Sequence, residues 1–141
     1  MIQVTKIFTF ETAHAIHGYS GLCKNIHGHS YVLHVTVSTA QAAESMLYKP
    51  PFVIDFKDLK KIVKQEIVDF FDHRLIISQD YLYAHPHLKD LENLTIWQFE
   101  PSAENILLYI RQKIEPLMPQ GVVLKKMKLY ETANSFAEWL P

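Results

Sequence analysis

Residues 27–38, HGHSYVLHVTVS, alternate so regularly that they constrain the fold more than any other segment. Side chains two apart share a face only on a β-strand, so His27, His29, Tyr31, Leu33, Val35 and Val37 lie on one side of it. Gly28, Ser30, Val32, His34, Thr36 and Ser38 lie on the other. A strand with one apolar face needs neighbours beside it and a layer over it. The segment before it supplies a neighbour. Lys6 to His14 alternates again, with Phe8 and Phe10 on the face of His14. Lys6 sits in the middle of this stretch, which reads as a first strand rather than as a signal peptide. GYSGLCKN, residues 18–25, is the loop between the two strands.

Two helices are predicted beyond the strands. Asp55 is the N-cap of the first and Asp58 lies in its first turn, where a carboxylate suits the helix dipole. Leu59, Ile62, Val63, Ile67, Phe70 and Phe71 form its apolar stripe, and the helix stops near Asp72-His73. Ser102 caps the second helix, whose stripe is Ala103, Ile106, Leu107, Ile110, Ile114 and Leu117, with Pro116 and Pro119 at its end. Gly121 opens a last strand in which Met127, Leu129 and Glu131 share a face opposite Lys126, Lys128 and Tyr130. Residues 76–100 carry aromatic side chains without a clean period. This order predicts one α+β domain over 1–141, an antiparallel sheet of about four strands with both helices on one face. Open sheet edges favour pairing with further copies of the chain.

Composition removes several functions. Fourteen basic against fifteen acidic residues leave a net charge of −1, which disfavours a general nucleic-acid binder. No apolar run reaches the roughly 18 residues of a membrane helix, so no membrane partner is expected. The one cysteine cannot form an internal disulfide and suits a reducing cytoplasm.

The eight histidines point to chemistry, because His14, His17, His27 and His29 crowd into the first 29 residues. On a strand His27 and His29 point the same way about 6.6 Å apart, within reach of one metal ion. Zinc in catalytic sites takes three protein ligands and keeps one position open. His14 and His17 compete for the third place. Two strand histidines satisfied by hydrogen bonds explain the H-x-H pair equally well. Cys23 lies beside these histidines, in a position that favours thiolate, although a lone cysteine is commonly a small buried hydrophobe. Asp72-His73 is either a carboxylate–imidazole pair or a polar helix end. Glu131, on an apolar face, needs a partner; a ligand with two adjacent N–H donors would serve, and so would solvent at the strand end. Glu104 suits the first turn of its helix.

Taken together, FETAH (10–14), CKNIHGHSY (23–31), FDH (71–73), PSAEN (101–105) and YETANS (130–135) resemble the 6-pyruvoyl-tetrahydropterin synthase family, which includes the 6-carboxy-tetrahydropterin synthases of queuosine biosynthesis. The resemblance runs in order along nearly the whole chain. It implies that His14, His27 and His29 bind zinc, leaving His17 aside, and that Cys23 is catalytic. It makes Asp72 and His73 an acid/base pair, Glu131 the anchor of the pterin ring, and Glu104 a second acidic residue near the pocket. It also implies the tunnelling fold, in which strands of several subunits close a barrel. Active sites then lie between subunits of a homohexamer built as a dimer of trimers. The three residues between Cys23 and His27 resemble the short spacing of the bacterial carboxy-forming enzymes. Arg74-Leu75-Ile76-Ile77 departs from the Leu-Asn pair that commonly follows the family's Asp-His, and the stretch from Ile76 to Glu100 is longer than in compact bacterial members. The implied activity is a zinc-dependent carbon–oxygen lyase that converts 7,8-dihydroneopterin triphosphate to 6-carboxy-5,6,7,8-tetrahydropterin, releasing triphosphate and acetaldehyde. A pyruvoyl-forming enzyme and a non-catalytic pterin- or metal-binding protein are the alternatives. Lys24, Lys126 and Lys128 are candidate partners for the triphosphate.

Overall fold

The computed structural model describes residues 1–39 and 45–141. Strands β1 (Gln3–His14) and β2 (His27–Thr39) pair antiparallel over their full length, from Gln3↔Ser38 to His14↔His27. β5 (Val122–Thr132) continues the sheet beside β2, and β6 (Ser135–Trp139) lies beyond it, both antiparallel. On the other side β3 (Arg74–Ser78) joins β1, and β4 (Leu94–Trp97) joins β3; both pairings are parallel. The sheet is therefore mixed, ordered β4-β3-β1-β2-β5-β6, with six strands where about four antiparallel ones were expected.

Beyond the three strands read from alternation, β6 follows β5 directly, while β3 and β4 are short and fall largely inside the stretch that showed no period. Leu75, Ile76 and Ile77 are all buried, as in a parallel strand covered on both faces, so no polar residue alternates with them. Ile76 joins the main core, whereas Leu75 and Ile77 pack with Ala15, Tyr81 and Leu88 in a second cluster. Tyr81 belongs to a short helix, α3 (Gln79–Ala84), within the crossover that two parallel neighbours require.

Helix α1 (Phe56–Val63) begins at Asp55, whose carboxylate accepts from Lys57 N–H at 2.8 Å. It passes through a π-helical turn, Lys64–Val68, into a last α-helical turn, α2 (Asp69–Phe71). Its fully buried residues, Leu59, Val63, Ile67 and Phe71, repeat strictly every four positions. In a straight α-helix each such step overshoots a turn by roughly 40°, so the stripe would wind off the sheet. The wider π turn absorbs that drift. Helix α4 (Ala103–Ile114) is capped by Ser102, which accepts from Asn105 N–H, and buries Ile106, Leu107, Ile110 and Ile114. Leu117 falls in a 3-10 turn after the helix and is 45% exposed rather than part of the stripe. Both long helices cover one face of the sheet, as expected.

Phe71 is central to that core. It stacks on Phe10 with centroids 5.2 Å apart and meets Trp97 and Tyr109 edge-on. Phe71→Ala should destabilise the protein by about 3–5 kcal/mol, read as a lowered urea midpoint at unchanged m-value.

Candidate metal centre and adjoining cavity

His14 is the last residue of β1 and His27 the first of β2, and they sit directly opposite each other. His29, two residues on, shares their face. Ligand nitrogens of these three imidazoles lie within 4.8 Å of one another, and His14 Nε2 is 3.1 Å from His27 Nε2. Their tautomers follow from the partners behind them. His14 Nδ1 is 2.7 Å from the Pro101 carbonyl and His27 Nδ1 is 2.7 Å from the Asn25 carbonyl. A carbonyl oxygen can only accept, so each Nδ1 carries the proton and each neutral ring turns an Nε2 lone pair toward the other. Buried His29 Nε2 has no hydrogen-bond partner, and Glu131 Oε1 stands 3.5 Å from it. Facing lone pairs repel unless a cation lies between them; this donor set fits a metal ion, with the carbonyls fixing the rings as outer partners of ligands do. Burial is the first cause lowering the pKa of both His14 and His29, which favours the neutral form that a metal needs.

Sequence alone left His14 and His17 as rivals for the third place. In the structure His17 is an exposed loop residue outside the cluster, engaged through its backbone N–H, which donates to Glu100 Oε2 at 2.8 Å.

Glu131 stands beside the cluster, its carboxylate oxygens 3.9 Å from His14 Nε2 and 3.5 Å from His29 Nε2. The Leu33↔Leu129 register carries it alongside Tyr31, whose hydroxyl is 3.5 Å from both Glu131 Oε2 and His14 Nδ1. Burial and then the carboxylate push the Tyr31 pKa up, so the hydroxyl stays protonated and donates to Glu131. A cavity of about 480 Å³ opens from here, lined by His14, Tyr19, Cys23, Glu104, Glu131 and Phe136 among others. Half-buried Cys23 reaches it from a 3-10 turn, Leu22–Lys24, and Glu104 from the first turn of α4.

Asp72 and His73 lie elsewhere in the chain. Asp72 Oδ1 accepts from Glu11 N–H at 2.8 Å and its Oδ2 from His73 Nδ1 at 2.9 Å, so a carboxylate–imidazole pair does form. The bond from Glu11 is the first cause holding the Asp72 carboxyl below its usual pKa. His73 adopts φ 62°, a left-handed conformation costing on the order of 1–2 kcal/mol outside glycine. Glu11 O, accepting its N–H at 2.6 Å, and Asn93, donating to its carbonyl at 2.9 Å, hold it there. The ring lines a different cleft, with Glu11, His29, Ser30 and Arg74, and its side chain is 80% exposed. Lys24, Lys126 and Lys128 do not line the cavity of Cys23 and Glu131. Lys128 pairs with Glu138 at 3.1 Å, and His34 pairs in register with it on the opposite sheet face.

Residues 3–140 match the sequence profile of the 6-pyruvoyl tetrahydropterin synthase family. The chain belongs to that family. It is 34% identical to the 6-carboxy-5,6,7,8-tetrahydropterin synthase of Rickettsia typhi, over 98% of this chain and 99% of the relative. It is 31% identical to the enzyme of that name from Haemophilus influenzae, over 99% of each. The solved 6-pyruvoyl tetrahydropterin synthase of Caenorhabditis elegans has the same fold, with a TM-score of 0.70 at 24% identity over 99% of this chain and 95% of that one. No helix among the described residues is long and apolar enough to cross a membrane.

Three features of the site lie outside the candidates that residue patterns supply: the Pro101 and Asn25 carbonyls and the Tyr31 hydroxyl. The Pro101 and Asn25 carbonyls are backbone atoms, which no residue type announces. The Tyr31 hydroxyl was detectable, since the alternation puts Tyr31 on the face of His27 and His29. The metal-free protein should gain thermal stability on titration with zinc, by about 2.7 kcal/mol at a hundredfold excess over Kd. His14→Ala should abolish that gain, as followed by calorimetry.

Proposed function

We propose that this chain is a 6-carboxy-5,6,7,8-tetrahydropterin synthase that acts on 7,8-dihydroneopterin triphosphate and one molecule of water, and releases triphosphate and acetaldehyde. One observation carries the proposal: Cys23, His14 and Glu131 line a single cavity in a chain alike, end to end, to relatives bearing that name. The short spacing from Cys23 to His27 supports the carboxy-forming branch over the pyruvoyl-forming one.

His14, His27 and His29 would hold zinc, which supplies Lewis-acid polarisation of side-chain oxygen when bound. Glu131 accepts the pterin's amino and ring N–H groups side by side, which directs the substrate side chain toward the histidines. Cys23 as thiolate takes a proton from the side-chain carbon, and His73, oriented by Asp72, exchanges protons with the side-chain oxygens. Within one chain the Asp72–His73 pair borders another cleft, so a second copy would bring its exposed His73 to the cavity of the first. The assembly we propose is a homo-oligomer, a hexamer of two trimers in which strands of adjacent copies continue the sheet beyond its edges. The setting we propose is cytoplasmic queuosine-type deazapurine synthesis, without nucleic-acid or membrane partners.

Incubation of the zinc-loaded protein with 7,8-dihydroneopterin triphosphate should yield carboxy-tetrahydropterin and acetaldehyde by mass spectrometry. Pyruvoyl-tetrahydropterin would overturn the product assignment, and absence of turnover with zinc bound would leave a binding protein. Cys23→Ala should lower kcat by at least about a hundredfold with pterin binding retained. Mixing Cys23→Ala with His73→Ala subunits should restore part of the activity that each variant lacks.

A further inference from the structure

The loop that carries Cys23 has little packing to hold it. Its 3-10 turn contains no buried residue, Leu22 is 85% exposed and Tyr19 54%. One hydrogen bond closes the loop on itself, from Ile16 N–H to Cys23 O at 2.8 Å. Among the described contacts, the bond that ties it to the helical layer is the one from His17 N–H to Glu100 Oε2, 2.8 Å long and spanning 83 positions. Directly after His17 the chain reverses at Gly18, with φ 72°. Restraint at His17 therefore sets where the rest of the loop departs.

Glu100 is itself well fixed. Its carbonyl accepts from Ser102 N–H and Asn105 Nδ2, each at 2.9 Å, which binds it to the first turn of α4. The next residue, Pro101, supplies the carbonyl that orients His14. One short segment thus faces the metal-ligand cluster with a backbone oxygen and the cysteine loop with a carboxylate. A hydrogen bond to a charged acceptor is stronger than a neutral one, and N–H to carboxylate at this distance is of that kind.

We infer that Glu100 is a positioning residue for Cys23: its carboxylate, clasping His17 N–H, holds the cysteine loop in place against the histidine cluster. The inference rests on the catalytic part assigned to Cys23 above, but the clasp is open to test without turnover. Cys23 is the chain's only cysteine, so its alkylation by iodoacetamide reports loop position directly. In the zinc-loaded protein Glu100→Ala should speed that alkylation roughly tenfold at fixed pH, as expected for loss of one charged hydrogen bond. Zinc content should not change. Glu100→Gln keeps an oxygen that can accept the N–H and should alkylate near the wild-type rate. Glu100→Ala at the wild-type rate would overturn the inference, and so would Glu100→Gln as fast as Glu100→Ala. Should the alanine variant not fold, amide exchange at His17 in the wild-type protein decides: protection supports the clasp, and exchange at the rate of an unstructured peptide refutes it. A wild-type protein inert toward the pterin triphosphate, yet with Glu100-dependent thiol reactivity, would sink the proposed activity and leave the clasp standing.

Discussion

The antiparallel pairing of β1 with β2 governs the histidine cluster and most of what surrounds it. Because His14 meets His27 at the end of that ladder, the i+2 alternation of β2 brings His29 onto the same face. A slip of one residue would send all the inward side chains of β2 to the other face, core and ligands together. Register is therefore enforced from a distance. Phe8 opposite Leu33 and Phe10 opposite Tyr31 pack beneath the helices, and their burial holds the histidines in line. Core packing and site geometry are one constraint, since both are read from the same strand pair.

The helical layer completes what the strands begin. Thr12 Oγ1 donates to the Phe71 carbonyl at 2.9 Å, and Glu11 binds both Asp72 and His73 through its backbone. The end of β1 thus grips the end of the first helical run and forces the turn that exposes His73. At the other helix, Glu100 and Pro101 reach back to the loop and to His14. His14 and Asp72 are thus held by backbone groups of neighbouring segments, which fixes their positions without a large buried polar network.

Legibility in the sequence followed the physics of each element. β1, β2 and β5 were visible because one face is buried and the other is not, which leaves period-2 alternation. α1 and α4 were visible through Asp55, Ser102 and their apolar stripes. β3 escaped because Leu75, Ile76 and Ile77 are buried together, with α3 covering the face that the long helices do not. β4 is four residues long, too short to show a period. The H-x-H pair was legible as a possible ligand pair, but the choice of His14 over His17 was not, since His14 ends β1 and His17 follows three residues later, so the choice turns on where the strand stops. Nor could spacing reveal that Asp72-His73 and Cys23 face different clefts, because that depends on where a helix end meets a strand some 60 residues earlier.

The central claim is that His14, His27 and His29 form one metal centre whose remaining position is free for substrate. Zinc K-edge absorption spectroscopy of the loaded protein tests it most directly. Three nitrogen ligands and one oxygen, all at about 2.0–2.1 Å, are the predicted first shell. A sulfur at about 2.3 Å would show that Cys23 binds the metal instead of facing the substrate, and a shell without imidazole scattering would contradict the centre altogether.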